Sequence, residues 1–286
     1  MLSRIKKKIL DLKSDAVYRA ALLKHAHNLP LLEEQDRIIL DALKKEGIYV
    51  TTLQALDLTT TSKLLNASSK LLPSMGMASN SKPGQRWPEV YTVTDVPIFY
   101  NWGKEKRLLN IIENYIGLPI SYQGVHLRKD FPNEKQFGTL LWHKDSEDRN
   151  ILKIIIYLSD VKEEHGPFEY IPRSLASIYQ LSYYRIQYKL WRARRSHSLG
   201  ITNEVLDQII PKSAWKSCPG PAGTVIFVDT GVLFHHGTLR TQERSTQFFV
   251  YTANPPKRPE LCTQYWDNTF PRPDLPQEAE STQSPI

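Results

Sequence analysis

The sequence predicts a mainly β protein with helices (α+β), in which a helical N-terminal region supports an antiparallel sandwich or barrel. Three observations carry this reading. Apolar residues recur near helical spacing up to about residue 117. From residue 118, short β-rich runs alternate with Gly, Pro, Asp and Asn. No internal repeat and no long apolar run points to a solenoid or a membrane bundle. The chain has 286 residues, 41% hydrophobic and 23% charged, which also excludes a disordered or collagen-like polymer.

The elements follow in order. Ile5, Ile9, Leu10 and Leu12 sit near helical spacing among Arg4, Lys6, Lys7, Lys8 and Lys13. A second helix, 31–46, places Leu32, Ile38, Ile39, Leu40 and Leu43 on one rough face, and Gly47 stops it. A third surrounds Leu64, Leu65, Leu71 and Leu72. Pro73, Gly76, Pro83, Gly84 and Pro88 make 73–88 a loop. Residues 104–117 read as a helix ended by Gly117 and Pro119. Strands are expected at 121–128, 139–143, 151–158, 168–171, 224–228 and 246–251. A mostly helical insertion, 175–211, interrupts them, and a Pro-rich tail, 255–286, should be extended. The whole reads as a single domain, 1–286. Within it, 1–117 is mostly helical support and 118–254 is the β core.

The net charge of +7 is local. Residues 1–13 carry five basic residues against one acid, and 185–195 carry five against none, so the rest is close to neutral. That distribution permits an anionic partner without calling for nucleic acid. Cys218 and Cys262 are too few for a disulfide scaffold. The basic N-terminus lacks the apolar run of a signal peptide, and the longest apolar stretch, 151–158, is broken by Lys153. A soluble, cytoplasmic protein with no membrane span is expected.

Two stretches carry chemistry. Leu141-Trp142-His143-Lys144-Asp145 contains an H-x-D. In a strand, His143 and Asp145 would share a face and offer one imidazole and one carboxylate to a single point. That is two-thirds of a 2-His-1-carboxylate facial triad, which leaves open positions on ferrous iron. Alone it is weak, since a polar strand end with a surface His reads the same. The second stretch, Asp229 to Gly237, supplies a further histidine, His235 or His236, after an apolar strand. Nine residues past His235, Arg244 begins another strand, with Thr246 on the same face. A buried Arg there needs an anion: either an acid of the chain, such as Glu243, or a dicarboxylate co-substrate.

The region 139–253 resembles the phytanoyl-CoA dioxygenase-like group of iron(II)- and 2-oxoglutarate-dependent oxygenases. The ordered H-x-D, distal His and Arg carry the resemblance, with Lys153 to Val161 and the stretch Gly166-Pro167-Phe168-Glu169-Tyr170-Ile171-Pro172-Arg173-Ser174. The chain departs from the group's pattern at Arg173 and Leu175, where Gly and His are usual. The resemblance implies a double-stranded β-helix, the jelly-roll or cupin-like barrel, with N-terminal supporting helices. It implies Fe(II) on His143, Asp145 and His235, with His236 as the alternative to His235. Arg244, with Thr246, would hold 2-oxoglutarate. The implied reaction consumes O2, releases succinate and carbon dioxide, and oxidises a small-molecule metabolite. Hydroxylation is expected, with desaturation or cyclisation as variants, because Asp145 fills the position that related halogenases leave to chloride.

The insertion bears on the substrate. Arg185, Lys189 and Arg192 can share a helical face, and Tyr183, Tyr184, Tyr188 and Trp191 are interspersed around them. As a lid it would favour an anionic or aromatic substrate; as a solvated helix face it would say nothing. His126, His165 and His197 fit no motif. The intact ligand set and Arg244 argue against a non-enzymatic binding or scaffold protein that keeps the fold without its chemistry, and two further rival readings stand beside the oxygenase. One is a nucleic-acid demethylase on the same chemistry, which needs a basic groove and a stacking platform. The other is a 2-oxoglutarate-independent, cupin-type metal-binding barrel, against which Arg244 and Thr246 argue.

Overall fold

The computed structural model describes residues 2–76, 81–82, 84–175 and 200–273. Among the described residues eleven strands run in chain order: β1 (Ile48–Thr52), β2 (Ser81–Lys82), β3 (Gln85–Arg86), β4 (Glu89–Thr92), β5 (Ile120–Asp130), β6 (Leu152–Tyr157), β7 (Phe168–Tyr170), β8 (Lys216–Cys218), β9 (Thr224–Asp229), β10 (His235–Gly237) and β11 (Arg244–Ala253). A six-stranded sheet has the order β1-β9-β6-β11-β5-β4, and a three-stranded sheet the order β10-β7-β8; β2 and β3 form a separate hairpin. Every pairing within these sheets is antiparallel.

Helices line one face of the large sheet: α1 (Leu2–His25), α2 (Glu34–Glu46), α3 (Leu53–Leu56), α4 (Thr61–Leu71), α5 (Pro97–Gly103) and α6 (Lys106–Ile116). α2 and α6 stop where the sequence places glycines, at Gly47 (φ +79°) and Gly117 (φ +76°). The period-2 alternation of the strands divides the interior in two. Val125, Leu127, Ile154, Ile156, Phe249 and Tyr251 pack toward the helices, against Leu43, Leu64, Trp102, Leu108 and Ile112. Ile155, Tyr157, Ile226 and Val228 join Phe168 and Cys218 of the small sheet in a second core. Each fully buried large side chain contributes about 1.5–3 kcal/mol. β6 and β9 are therefore buried on both faces, which is why they read as nearly unbroken apolar runs.

The structure changes several sequence expectations. The helical region, residues 1–117, also contains β1 and β4, the two edges of the large sheet. Residues 139–143 are no regular strand. A 3-10 turn (Gly138–Leu140) leads to two isolated bridges, Trp142 to Ile201 and His143 to His235. The described portion of the tail is not simply extended: it makes 3-10 turns at Pro259–Leu261 and Thr263–Tyr265 and is tied to β4 by Thr92 N donating to Pro271 O (2.8 Å). Arg185, Lys189, Trp191 and Arg192 lie outside the described residues. After Gly200 the insertion holds one short helix, α7 (Asn203–Asp207). No described helix is long and apolar enough to cross a membrane. Both cysteines are free and buried.

Candidate metal centre

A buried carboxylate organises the turn between β9 and β10. Asp229 is fully buried and accepts from Tyr115 Oη (2.8 Å), Asn150 Nδ2 (2.7 Å) and the backbone N–H groups of Ile151, Gly231 and Val232 (3.0–3.1 Å). Burial raises its pKa, against the pull of these donors. With the turn fixed, Thr230 O accepts the N–H of Asp145 (2.9 Å), and His143 and His235 exchange two backbone hydrogen bonds (3.0 Å each). The H-x-D loop is thus stitched to the distal histidine through the main chain.

These bonds bring three side chains together. The possible ligand atoms of His143, Asp145 and His235 lie within 4.8 Å of one another. His143 Nε2 is 3.6 Å from Asp145 Oδ1, and His235 Nε2 is 4.0 Å from Oδ2. Each histidine spends Nδ1 on a carbonyl two residues back: His143 on Leu141 O (2.7 Å), His235 on Leu233 O (3.0 Å). A carbonyl only accepts, so Nδ1 carries the proton and Nε2 keeps its lone pair. Burial, and then His143 alongside, hold His235 down to about 3; burial likewise lowers His143. Burial pushes Asp145 up, but Lys153 and the two imidazoles outweigh it and hold its carboxyl below the usual range. Lys153 Nζ sits 2.6 Å from Asp145 Oδ2.

His236 is placed differently. Its Nδ1 lies 2.8 Å from Leu140 O, its Nε2 lies 2.8 Å from Glu169 Oε2, and its ring stacks on Trp142 at 4.0 Å. Both ring nitrogens are committed to the scaffold.

At the other end of the same cavity Arg128 and Arg244 belong to the lining, and together with Arg240 they surround one carboxylate. Asp130 accepts hydrogen bonds from Arg128 Nη2 (2.8 Å) and Arg244 Nε (3.0 Å) and forms an ion pair with Arg240 Nη1 (2.8 Å). Burial would raise the Asp130 pKa, yet the three cations hold it well below the carboxylate range. Arg244 also donates to Gly166 O. Asp130, rather than the adjacent Glu243, is its acid; Glu243 pairs with Lys129 (3.0 Å). A Cβ at Gly237 would lie 2.9 Å from Arg240 Nη2 and 3.1 Å from Arg244 Nη2, so only glycine leaves this space open. Thr246 Oγ1 is buried with no hydrogen-bond partner. The cavity, about 240 Å³, is lined by the three candidate ligands and by Arg128, Lys153, Arg244, His126, Tyr265 and others.

Sequence reasoning missed Asp130, Arg240, Asp229 and His126. It noted Lys153 as a break in an apolar run and as the start of a stretch resembling the family, and gave it no role at the site. That lone cation on the inward face of a buried strand was the available signal.

No protein-family model matches the chain, and no curated protein matches it in sequence. Solved structures do match. The apo form of EctD from S. alaskensis has 18% identity, covers 79% of this chain and 79% of its own, and superposes with a TM-score of 0.52. EctD with 2-oxoglutarate and 5-hydroxyectoine gives 16% identity, 79% and 77% coverage and a TM-score of 0.52. SnoK, a non-heme alpha ketoglutarate dependent carbocyclase from nogalamycin biosynthesis, gives 17%, 80% and 86%, and 0.51. At these identities the likeness is one of fold.

Proposed function

We propose that the chain is an iron(II)- and 2-oxoglutarate-dependent dioxygenase of the phytanoyl-CoA dioxygenase-like group. Its core would be a double-stranded β-helix built from the two facing sheets within one domain, 1–286, and its substrate a small molecule. One observation carries this reading: His143, Asp145 and His235 converge in a cavity whose far end holds a surplus of buried guanidinium. The donor set fits Fe(II), since two Nε2 lone pairs and one carboxylate make a 2-His-1-carboxylate face with open positions. The far end fits a dicarboxylate, with Arg244 Nη2 beside the open space at Gly237 and an unpartnered Thr246 hydroxyl on the same strand face.

When bound, Fe(II) with 2-oxoglutarate and O2 supplies the oxidation of a substrate C–H bond, with succinate and carbon dioxide as co-products. The chain's own residues do the rest. His143, Asp145 and His235 would hold the metal. Leu141 O and Leu233 O fix both imidazole tautomers, and Lys153 orients Asp145. Arg244 and Thr246 would hold the distal carboxylate, and the buried walls exclude water. Among the neighbours, EctD is solved with bound Fe and with 2-oxoglutarate and 5-hydroxyectoine, which supports the reading. Hydroxylation is the proposed outcome, with desaturation or cyclisation as variants.

Calorimetry on the Co(II)-loaded chain tests this. 2-Oxoglutarate should bind the loaded protein and fail to bind the metal-free one. A folded, metal-loaded chain with no affinity for 2-oxoglutarate would reject the proposal in favour of a metal-binding barrel.

A further inference from the structure

Facing the metal ligands, the cavity has a second wall that the proposed chemistry does not use. Its base is a row across the large sheet. His126 on β5 stands opposite Phe248 on β11, and Phe248 stands opposite Ile155 on β6. All three line the cavity. The C-terminal segment closes over this row. His126 stacks on Tyr265 (4.5 Å between centroids, 30° between planes) and meets Phe270 edge-on at 5.1 Å. His126 Nε2 is held at 3.2 Å from Gln264 O, and Tyr265 is 4% exposed. The docking is close: a Cβ at Gly124 would lie 2.8 Å from Tyr265 Cβ. Thr92 N to Pro271 O, and Arg272 to Asp95 (2.5 Å), fasten the segment beyond.

The charges around this wall decide what it can take. Burial, the largest influence, lowers His126 to about 4, so its ring is neutral near pH 7. Arg128 flanks the row on one side, its guanidinium carbon 5.9 Å from the Phe248 ring. Lys153, two residues before Ile155 on the same face, flanks the other. The nearby acids are engaged: Asp145 with Lys153 (2.6 Å), and Glu147 with the N–H of Ser146 (2.9 Å). An aromatic wall alone would also suit a cation. Lys153 is neutralised by Asp145, but Arg128 belongs to three guanidiniums on the single Asp130 carboxylate, and that positive surplus repels a cation and favours a neutral or anionic body. The cavity of about 240 Å³ lies just below the usual ligand-site range, about 300–1,000 Å³, and on the oxygenase reading it also holds the metal and 2-oxoglutarate, so the body is compact.

We propose that the wall formed by His126, Phe248, Tyr265 and Phe270 is the substrate subsite, and that it takes a compact, flat-ringed molecule, neutral or anionic. The assignment rests on the oxygenase reading for the place of the chemistry. It gives the C-terminal segment a role in specificity.

The test uses the full chain loaded with Zn(II) and 2-oxoglutarate, and saturation-transfer NMR with three probes: benzoate, cyclohexanecarboxylate and benzylammonium. Benzoate should bind about fivefold or more tighter than either of the others, the scale of one aromatic stacking contact. His126→Leu and Phe270→Leu keep bulk but remove a flat face. Each should weaken benzoate by about fivefold and leave cyclohexanecarboxylate within about twofold. Phe270 is half-buried near the surface, so its variant keeps the test open if the His126 variant unfolds. Equal binding of benzoate and cyclohexanecarboxylate, a preference for benzylammonium, no benzoate binding, or variants without effect would each overturn the proposal. Loss of 2-oxoglutarate binding would instead reject the oxygenase reading, and the ring preference is then read on the metal-free chain.

Discussion

The two ends of the cavity carry opposite surpluses. At one end, His143 and His235 each spend Nδ1 on a backbone carbonyl, so two Nε2 lone pairs face the Asp145 carboxylate. At the other, Arg128, Arg240 and Arg244 share the Asp130 carboxylate. The first end has acceptors short of a cation; the second has N–H donors short of an anion. Asp229, which sits beside the first end, has five protein donors and asks for nothing further. Hydrogen-bond accounting therefore separates candidate ligand sites from structural knots even where both are buried and charged.

Breaking each end should have a separate effect. Asp145→Ala should weaken Co(II) binding by more than about 100-fold in calorimetry, beyond the loss seen on removing an outer-sphere partner. Arg244→Met should leave Co(II) affinity within about threefold but weaken 2-oxoglutarate on the order of 100-fold, the cost of removing one partner of a buried charged pair. If both variants lost both ligands equally, the two ends would not be independent.

Between the ends, His126 sharpens the comparison through pH. Its folded pKa, about 4, lies below the 6.5 of the free side chain. The unfolded chain therefore takes up a proton first. The stability is fully present above pH 6.5 and is lost progressively as pH falls to about 4. The total is about 3 kcal/mol at most. Denaturant melts of wild type and His126→Leu should converge over that window; parallel curves would contradict the assignment.

Neighbours in sequence should differ as the ends do. His236→Leu should destabilise the fold by about 1–3 kcal/mol through the unpaired Glu169 carboxylate, while Co(II) affinity stays within about threefold. His235→Leu should do the reverse. The smallest effect belongs to the structural knot. Tyr115→Phe removes one of five donors to Asp229 and should cost about 1 kcal/mol in thermal melts, with both ligands still bound.

Much of the scaffold was legible because its signals are local. The periodicity of α2 and α6, their glycine stops and the apolar runs of β6 and β9 need no tertiary information. β1 and β4 were hidden because each is only four or five residues long and lies in a helical context, where sheet pairing overrides weak propensity. His143, Asp145, His235 and Arg244 were legible through their order and spacing. His143 and Asp145 do not share the face of a regular strand, as their spacing suggests; a bridge and a turn bring them together. Nothing local separates His235 from His236; that follows from Leu140 and Glu169, distant in sequence. The Asp130 cluster and the His126 wall were illegible for the same reason, because they join β5, the loop before β11, β11 itself and the tail.

One titration tests the central claim most directly. Under argon, Fe(II) and then 2-oxoglutarate are added to wild type, Asp145→Ala and Arg244→Met, and the visible charge-transfer band of the ternary complex is followed. Wild type should give a saturable band at one equivalent of iron. Arg244→Met should need on the order of 100-fold more 2-oxoglutarate, and Asp145→Ala should give none. Folded wild-type protein that binds iron yet shows no band, or three proteins with the same titration curve, would contradict the account.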